Sequence, residues 1–176
     1  MEAPDEELML AYRHGDAGAF ETLYKRHRGA LYRFVLRSLH QRSAAEELFQ
    51  EVWMRVIEAR GRYAPQARFT TWLYTIAHNL LVDHWRRKGL VLVELNEDET
   101  VAAPDNPARQ AEARETLGRF LQALEALPPA QREAFLLHEE GGLSAAQIAA
   151  ATGTNEEAAK SRLRYAMAKL KAAVDE

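Results

Sequence analysis

Cysteine is absent from this chain, which excludes a disulfide framework and every thiolate metal site. Long apolar runs are absent too. No uncharged stretch approaches the roughly 20 residues that a bilayer crossing needs, so no membrane insertion is expected. The opening Met1-Glu2-Ala3-Pro4-Asp5-Glu6-Glu7 is acidic, the opposite of a secretion signal, and the expected compartment is the cytoplasm. Alternation of apolar and polar residues with period two is never sustained long enough for a sheet. A phosphate-binding glycine loop, a nucleophile elbow and an aspartate cluster are likewise missing. His138-Glu139-Glu140 lacks the second histidine of a zinc helix. His78 and His84 fall on different faces of one helix, and no pair of Glu-x-x-His helices suggests a carboxylate-bridged metal centre. The chain is expected to hold no metal or cofactor and not to be an enzyme.

What is present is a folded, helix-forming composition, 47% apolar and 28% charged over 176 residues, enough for one domain or two small ones. The formal net charge of −3 is unevenly spread. Residues 1–89 carry net +3, residues 90–107 carry five acids and no base, and residues 108–176 carry net −1. Local patches decide where phosphate is attracted, whatever the total. The acidic stretch also interrupts helical periodicity, with Gly89 before it and Pro104 and Pro107 near its end. It reads as a flexible linker, 90–106, between two small helical domains at 1–89 and 107–176. Asn106-Pro107 is expected to restart a helix, asparagine as cap and proline at the first position.

In the first domain, Asp16 can cap a helix bearing Phe20, Leu23, Tyr24, His27, Leu31, Phe34 and Val35. Ser43 with Glu46 reads as a capping box opening a second helix through Leu48, Phe49, Val52, Trp53, Val56 and Ile57. A loop follows from Gly61 to Arg68, then a third helix from about Thr70 to Arg87. In the last quarter, Ser144 with Gln147 and Thr154 with Glu157 form two further capping-box patterns, and Gly153 between them can end a helix in the left-handed conformation. Helix, three-residue turn, helix is the spacing of a helix-turn-helix. Its second helix turns Ala159, Leu163, Ala166 and Leu170 inward, leaving Lys160, Ser161, Arg164 and Tyr165 for base edges and phosphates. The fold class is therefore all-α, with a C-terminal helix-turn-helix.

Two other surfaces stand out. On the third helix, Leu73, Ile76, Ala77, Leu80 and His84 form a core side, while Trp72, Thr75, Asn79, Asp83 and Arg86 group elsewhere. With Arg62, Tyr63 and Arg68 in the preceding loop, these cations, amides and rings suit single-stranded nucleic acid. Taken singly, Phe69, Trp72 and Tyr74 read as core rings; the surface taken whole favours the binding role. On the second helix, Glu46, Glu47, Gln50 and Glu51 edge an apolar stripe of Leu48, Phe49 and Trp53. That pattern fits a helix docking a protein groove and equally a buried helix with a wet acidic edge.

In their order along residues 5–172, these segments resemble the extracytoplasmic-function (group IV) sigma factors of bacterial RNA polymerase. Asp16 to Tyr24 looks like the opening helix of sigma domain two, Ala45 to Trp53 like the polymerase-clamp-binding helix, and Phe69 to Arg87 like the promoter-melting helix. Leu127 to Phe135, Glu140 to Ser144, Ile148-Ala149 and Lys160 to Leu163 look like sigma domain four. The chain departs from the family pattern at Ala44, at Glu157-Ala158-Ala159, and at Tyr165 and Met167, where cations are common in the family.

The resemblance implies a promoter-specificity subunit whose partners are core RNA polymerase, promoter DNA both duplex and single-stranded, and an anti-sigma factor. It implies polymerase contacts at Glu46, Glu47, Leu48, Phe49, Gln50, Glu51 and Trp53. Minus-ten contacts are implied at Arg62, Tyr63, Arg68, Phe69, Trp72, Asn79, Asp83 and Arg86. Minus-thirty-five contacts are implied at Ser144, Thr154, Lys160, Ser161, Arg162, Arg164 and Tyr165, with Arg162 directed more toward phosphate. Residues 94–105 either thread a basic channel of polymerase or serve as a plain spacer. The competing reading is a one-component helix-turn-helix repressor, which gives no reason for the aromatic, basic surface of residues 69–88.

Overall fold

A computed structural model describes residues 2–89 and 112–175; the acidic linker and the helix start expected at Asn106-Pro107 lie outside the described residues. Among the described residues there are eight α-helices and no strand. In chain order they are α1 (Asp5–Arg13), α2 (Ala17–Leu39), α3 (Arg42–Ala59), α4 (Phe69–Arg87), α5 (Glu112–Ala126), α6 (Pro129–Glu139), α7 (Ala145–Thr152) and α8 (Glu156–Val174), with a single 3-10 turn at Arg60–Arg62 before the loop to α4.

Local signals account for most boundaries. The Asp16 carboxylate accepts the Ala19 amide at 3.2 Å and starts α2. Ser144 and Gln147 form the reciprocal capping box that starts α7. Gly153, at φ 71°, ends α7 in the left-handed conformation. Two expected caps differ. Helix α8 is capped by Asn155, whose side chain accepts the Ala158 amide at 2.8 Å, and not by Thr154. Asparagine one residue nearer the helix takes the bond and leaves Thr154 half-buried in the turn. Ser43 caps nothing, because α3 already begins at Arg42 with Gln41 in the cap position.

Helix α1 falls in the acidic opening, where charge hides the periodicity of Leu8, Met9 and Tyr12. It is tied down by Asp5, which takes Arg26 at 2.7 Å and His27 at 2.8 Å. Glu6 of α1 accepts the Phe69 amide at 3.2 Å. That contact satisfies an orphan donor at the α4 N-terminus, where Arg68 supplies no side-chain cap.

One apolar cluster runs through both halves of the chain, from Met9 and Leu23 to Ile148 and Leu170. Helix α7 packs on α4, and α6 on α2. Between the halves, Arg33 Nε meets Glu140 Oε2 at 2.8 Å, His78 Nδ1 bonds Glu133 Oε1, and Arg132 donates to His40 Nε2 at 3.0 Å. Gly141 is required here. A Cβ at that position would come within 2.8 Å of the Leu137 carbonyl oxygen and 3.1 Å of the Tyr74 ring.

The shift of the α8 cap gives a direct check. Asn155→Ala should lower unfolding stability by about 1 kcal/mol, and Thr154→Ala by clearly less, in chemical denaturation followed by helical circular dichroism. A larger loss at Thr154 would return the cap to that residue.

Candidate nucleic-acid interface

Helix α4 divides into three faces. Phe69, Leu73, Ala77 and Leu80 are buried on the α2 and α3 side. Tyr74, His78 and Val82, about half a turn round, meet the C-terminal half: Tyr74 lies against Gly141, while His78 and Val82 line a cavity of about 260 Å³ with Ala130, Glu133, Ile148 and Arg162. Leu81 and Trp85 are buried as well. The third face stays open.

On that open face Trp72, Ile76, Asn79 and Asp83 line a cavity of about 250 Å³, closed on the α3 side by Arg55, Glu58 and Ala59 and at the rim by Arg62. Trp72 is half-buried, its ring edge-on to Tyr63 at 5.1 Å and tilted on Phe69 at 5.8 Å. Asn79 and Asp83 are exposed. Arg86 is exposed and 3.8 Å from Asp83, and Arg68 is exposed at the head of α4. An aromatic wall, an amide, two carboxylates and two guanidiniums around a base-sized hollow can hold a flat, hydrogen-bonding ring.

Two residues expected on this surface are not there. Tyr63 is 2% exposed and Phe69 fully buried, because the loop before α4 folds back under α1. Arg13 donates to the Tyr63 carbonyl at 2.7 Å, and the Phe69 ring lies 5.3 Å from that of His27. Burial, with Glu6 and Asp5 nearby, pushes the Tyr63 phenol up to about 12. Both rings support Trp72 from behind and have no free face for a base.

The α3 surface is corrected in the same way. Leu48 and Trp53 are buried, Trp53 being enclosed by Phe20, Tyr24 and Phe49. Glu46, Glu47 and Gln50 are exposed, and Phe49 and Glu51 half-exposed. Met54, 52% exposed, continues that row four residues beyond Gln50. The sequence reading missed it, although its spacing from Glu46 and Gln50 was the available signal. Arg55 and Glu58, which wall the cavity beside Trp72, were missed too; only folding α3 against α4 brings them there.

Between the exposed acids of α3 and the end of α4 lies a second hollow of about 260 Å³, lined by Glu47 and Glu51 on one side and His84, Arg87 and Lys88 on the other. Burial, then Lys88 and Arg87, hold the His84 imidazole below its ordinary value, against a smaller opposing pull from Glu47.

In the helix-turn-helix, the turn comprises Gly153, Thr154 and Asn155. Ala159, Ala166 and Leu170 of α8 are buried and Leu163 is half-buried. Lys160 is exposed beside Glu156 and Glu157, and the exposed Arg164 guanidinium lies 5.2 Å from the Tyr165 ring centre. Ser144 is exposed; Ser161, Arg162 and Tyr165 are half-buried. Arg162 points into the cavity shared with α4. Among the described residues no group of three or more His, Cys, Asp or Glu could hold a metal ion, and no helix is long and apolar enough to cross a membrane.

Comparison with known proteins places these elements. Residues 23–90 match the family model described as Sigma-70 region 2, and residues 117–170 match that described as Sigma-70, region 4. The chain is 34% identical over 163 residues to the RNA polymerase sigma factor CarQ of Myxococcus xanthus, covering 93% of each. It is 31% identical over 170 residues to the ECF RNA polymerase sigma factor SigM of Mycobacterium tuberculosis, covering 96% of this chain and 84% of the relative. Among solved structures it is similar to CnrH in complex with the cytosolic domain of CnrY. That match has a TM-score of 0.71 and 26% identity, and covers 97% of each chain.

The electrostatics of the α3–α4 hollow can be read by NMR titration. His84 should titrate below the usual value of about 6.5, and Lys88→Gln, by removing a neighbouring cation, should move it upward. A His84 titration unaffected by Lys88→Gln and Arg87→Gln together would leave burial as its sole cause.

Proposed function

Because the chain belongs to the extracytoplasmic-function (ECF) family of RNA polymerase sigma factors, alternative promoter-specificity subunits with no catalytic role of their own, we propose how its surfaces divide the promoter. It acts as a group IV member in the cytoplasm. Residues 1–89 serve as domain two, 107–176 as domain four, and 90–106 as the connection between them. The α3 row of Glu46, Glu47, Gln50 and Met54, with Phe49 and Glu51 behind it, docks core polymerase. Leu48 and Trp53 hold that row in position from the core.

The open face of α4 captures unpaired minus-ten bases. Trp72 offers the stacking surface, Asn79 and Asp83 read base edges, and Arg62, Arg68 and Arg86 follow the backbone. Tyr63 and Phe69 brace Trp72. The helix-turn-helix reads the duplex minus-thirty-five element through Lys160, Ser161, Arg164 and Tyr165, with Arg162, Ser144 and Thr154 toward phosphate. An anti-sigma factor is the expected regulator; the structure of CnrH with the cytosolic domain of CnrY supports a protein partner for this fold. The observation that carries the reading is the base-sized hollow on the one uncovered face of α4, lined by Trp72, Asn79 and Asp83.

Energetics explain why polymerase is required. Opening four or five base-pair steps costs roughly 6–7 kcal/mol at about 1.4 kcal/mol per step. Capturing one or two bases returns about 1–3 kcal/mol each. The chain alone does not reach strand opening, and the docked polymerase supplies the difference.

With core polymerase and a cognate promoter, the chain should give promoter-dependent transcripts and permanganate-reactive thymines at the minus-ten element. Trp72→Ala and Asn79→Ala should each reduce thymine reactivity by the equivalent of about 1–3 kcal/mol, roughly 5- to 150-fold, with duplex binding unchanged. Arg164→Ala should weaken minus-thirty-five binding by about 1–3 kcal/mol and leave polymerase association intact. Equal losses in both assays from all three variants would contradict the division of labour.

A further inference from the structure

The back of α4 poses a geometric problem for the promoter reading, on which the following rests. Tyr74, His78 and Val82 are covered by α6 and α7, so the helix-turn-helix sits directly behind the melting helix. Arg162 of the recognition helix and His78 of the melting helix line the same cavity of about 260 Å³. Elements centred near positions ten and thirty-five are about 25 base pairs apart, roughly 85 Å of duplex at 3.4 Å per pair. Two helices sharing one small cavity cannot grip both at once.

The contact nevertheless has the features of a specific interface. Tyr74 is 1% exposed and fits a position where only glycine leaves room, Gly141. Glu133 is 2% exposed and bonded across the seam to His78. Arg132 is 7% exposed, donating both to His40 at 3.0 Å and to the Glu125 carbonyl at 2.9 Å. Arg33 and Glu140 close the rim at 2.8 Å. Three polar contacts and a close backbone approach thus align α2 and α4 with α6 and the turn before α7. Meanwhile Glu46, Glu47, Gln50 and Met54 of α3 remain exposed with the seam formed.

The geometry points to a self-closed resting form. The seam between α4 and the α6–α7 pair holds the helix-turn-helix behind the melting helix, leaves the polymerase-docking row accessible, and must part before both promoter elements can be held. Polymerase docks first on the open row of α3, and domain four swings away afterwards.

Because the chain contains no cysteine, two introduced thiols are the only ones that react. An Arg33→Cys/Glu140→Cys chain, joined by a short bis-maleimide with a reducible centre, locks the rim of the seam. A Glu21→Cys/Lys25→Cys chain, linked within α2 across an exposed pair, is the control. The free seam variant should link in high yield. Once linked it should still bind core polymerase but give at least tenfold fewer promoter-dependent transcripts, recovering on reduction, whereas the linked control should transcribe normally. Spin labels at positions 33 and 140 should report a short separation in the free chain and a longer one in the promoter complex.

Full transcription by the linked seam variant would overturn the proposal. So would failure to link in the free chain with a long spin-label separation. Absence of promoter-dependent transcripts from the native chain would remove the sigma-factor reading itself, while linking yield and label separation would still decide whether the chain is closed.

Discussion

The structure depends on how the circumference of α4 is shared. At 100° per residue, its 19 residues give one face to α2 and α3, a second to α6 and α7, and a third to the open hollow beside Trp72. A helix apolar on nearly every side is normally interior. Here the third face escapes because Asn79, Asp83 and Arg86 interrupt the apolar sequence every three or four residues. Everything else is arranged around that exception. Helix α1 caps its start through Glu6, the loop before it packs Tyr63 and Phe69 under Trp72, and α3 walls the hollow with Arg55 and Glu58.

Charge follows the same axis. The α4 N-terminus is met by the Glu6 carboxylate, and its last turn carries Arg86 and Arg87, so both ends oppose the helix dipole favourably. The cations that stabilise the end of the helix also sit where a phosphate backbone leaving the hollow would pass. Stability and ligand attraction therefore do not compete along α4. In α8, by contrast, Lys160 lies beside Glu156 and Glu157. Those acids favour the helix start and dilute the positive field of the reading face. With Tyr165 and Met167 where related chains often carry cations, domain four depends more on base-edge and shape contacts than on phosphate attraction.

Periodicity and caps made most of the fold legible. Asp16, Ser144 and Gly153 act where their chemistry says they should, because each is a local effect that needs no neighbour from elsewhere in the chain. The Thr154 cap was misplaced by one residue since two capping residues stand side by side and only the backbone decides between them. Helix α1 was hidden by its acids, which face Arg26 and His27 of α2 rather than water alone. At the site, the residues that remained exposed, Trp72 in part and Asn79, Asp83 and Arg86, were legible from helical spacing. Tyr63, Phe69, Leu48 and Trp53 were assigned to surfaces because a helical wheel cannot show how wide the buried arc is. The second buried face of α4 was invisible for a related reason: its cover lies more than fifty residues away, at Glu133 and Gly141.

The composition of that cover bears on how firmly it is held. Arg33 and Glu140 pair at the solvent edge, and such pairs contribute little. His78 and Glu133 are largely buried, so desolvation offsets much of their attraction. Arg132 brings a guanidinium against His40, whose imidazole is held below its ordinary value by burial and by that charge, and its Nε finds no hydrogen-bond partner. The buried Tyr74 hydroxyl is unpaired as well. Each orphaned group costs free energy that returns when water reaches it. The apolar contacts across α4 and α7 fix the seam in one register, while its polar groups are satisfied imperfectly and would be better hydrated apart. An interface of that kind is specific without being tight, the combination required of two domains that must rest together and work separately.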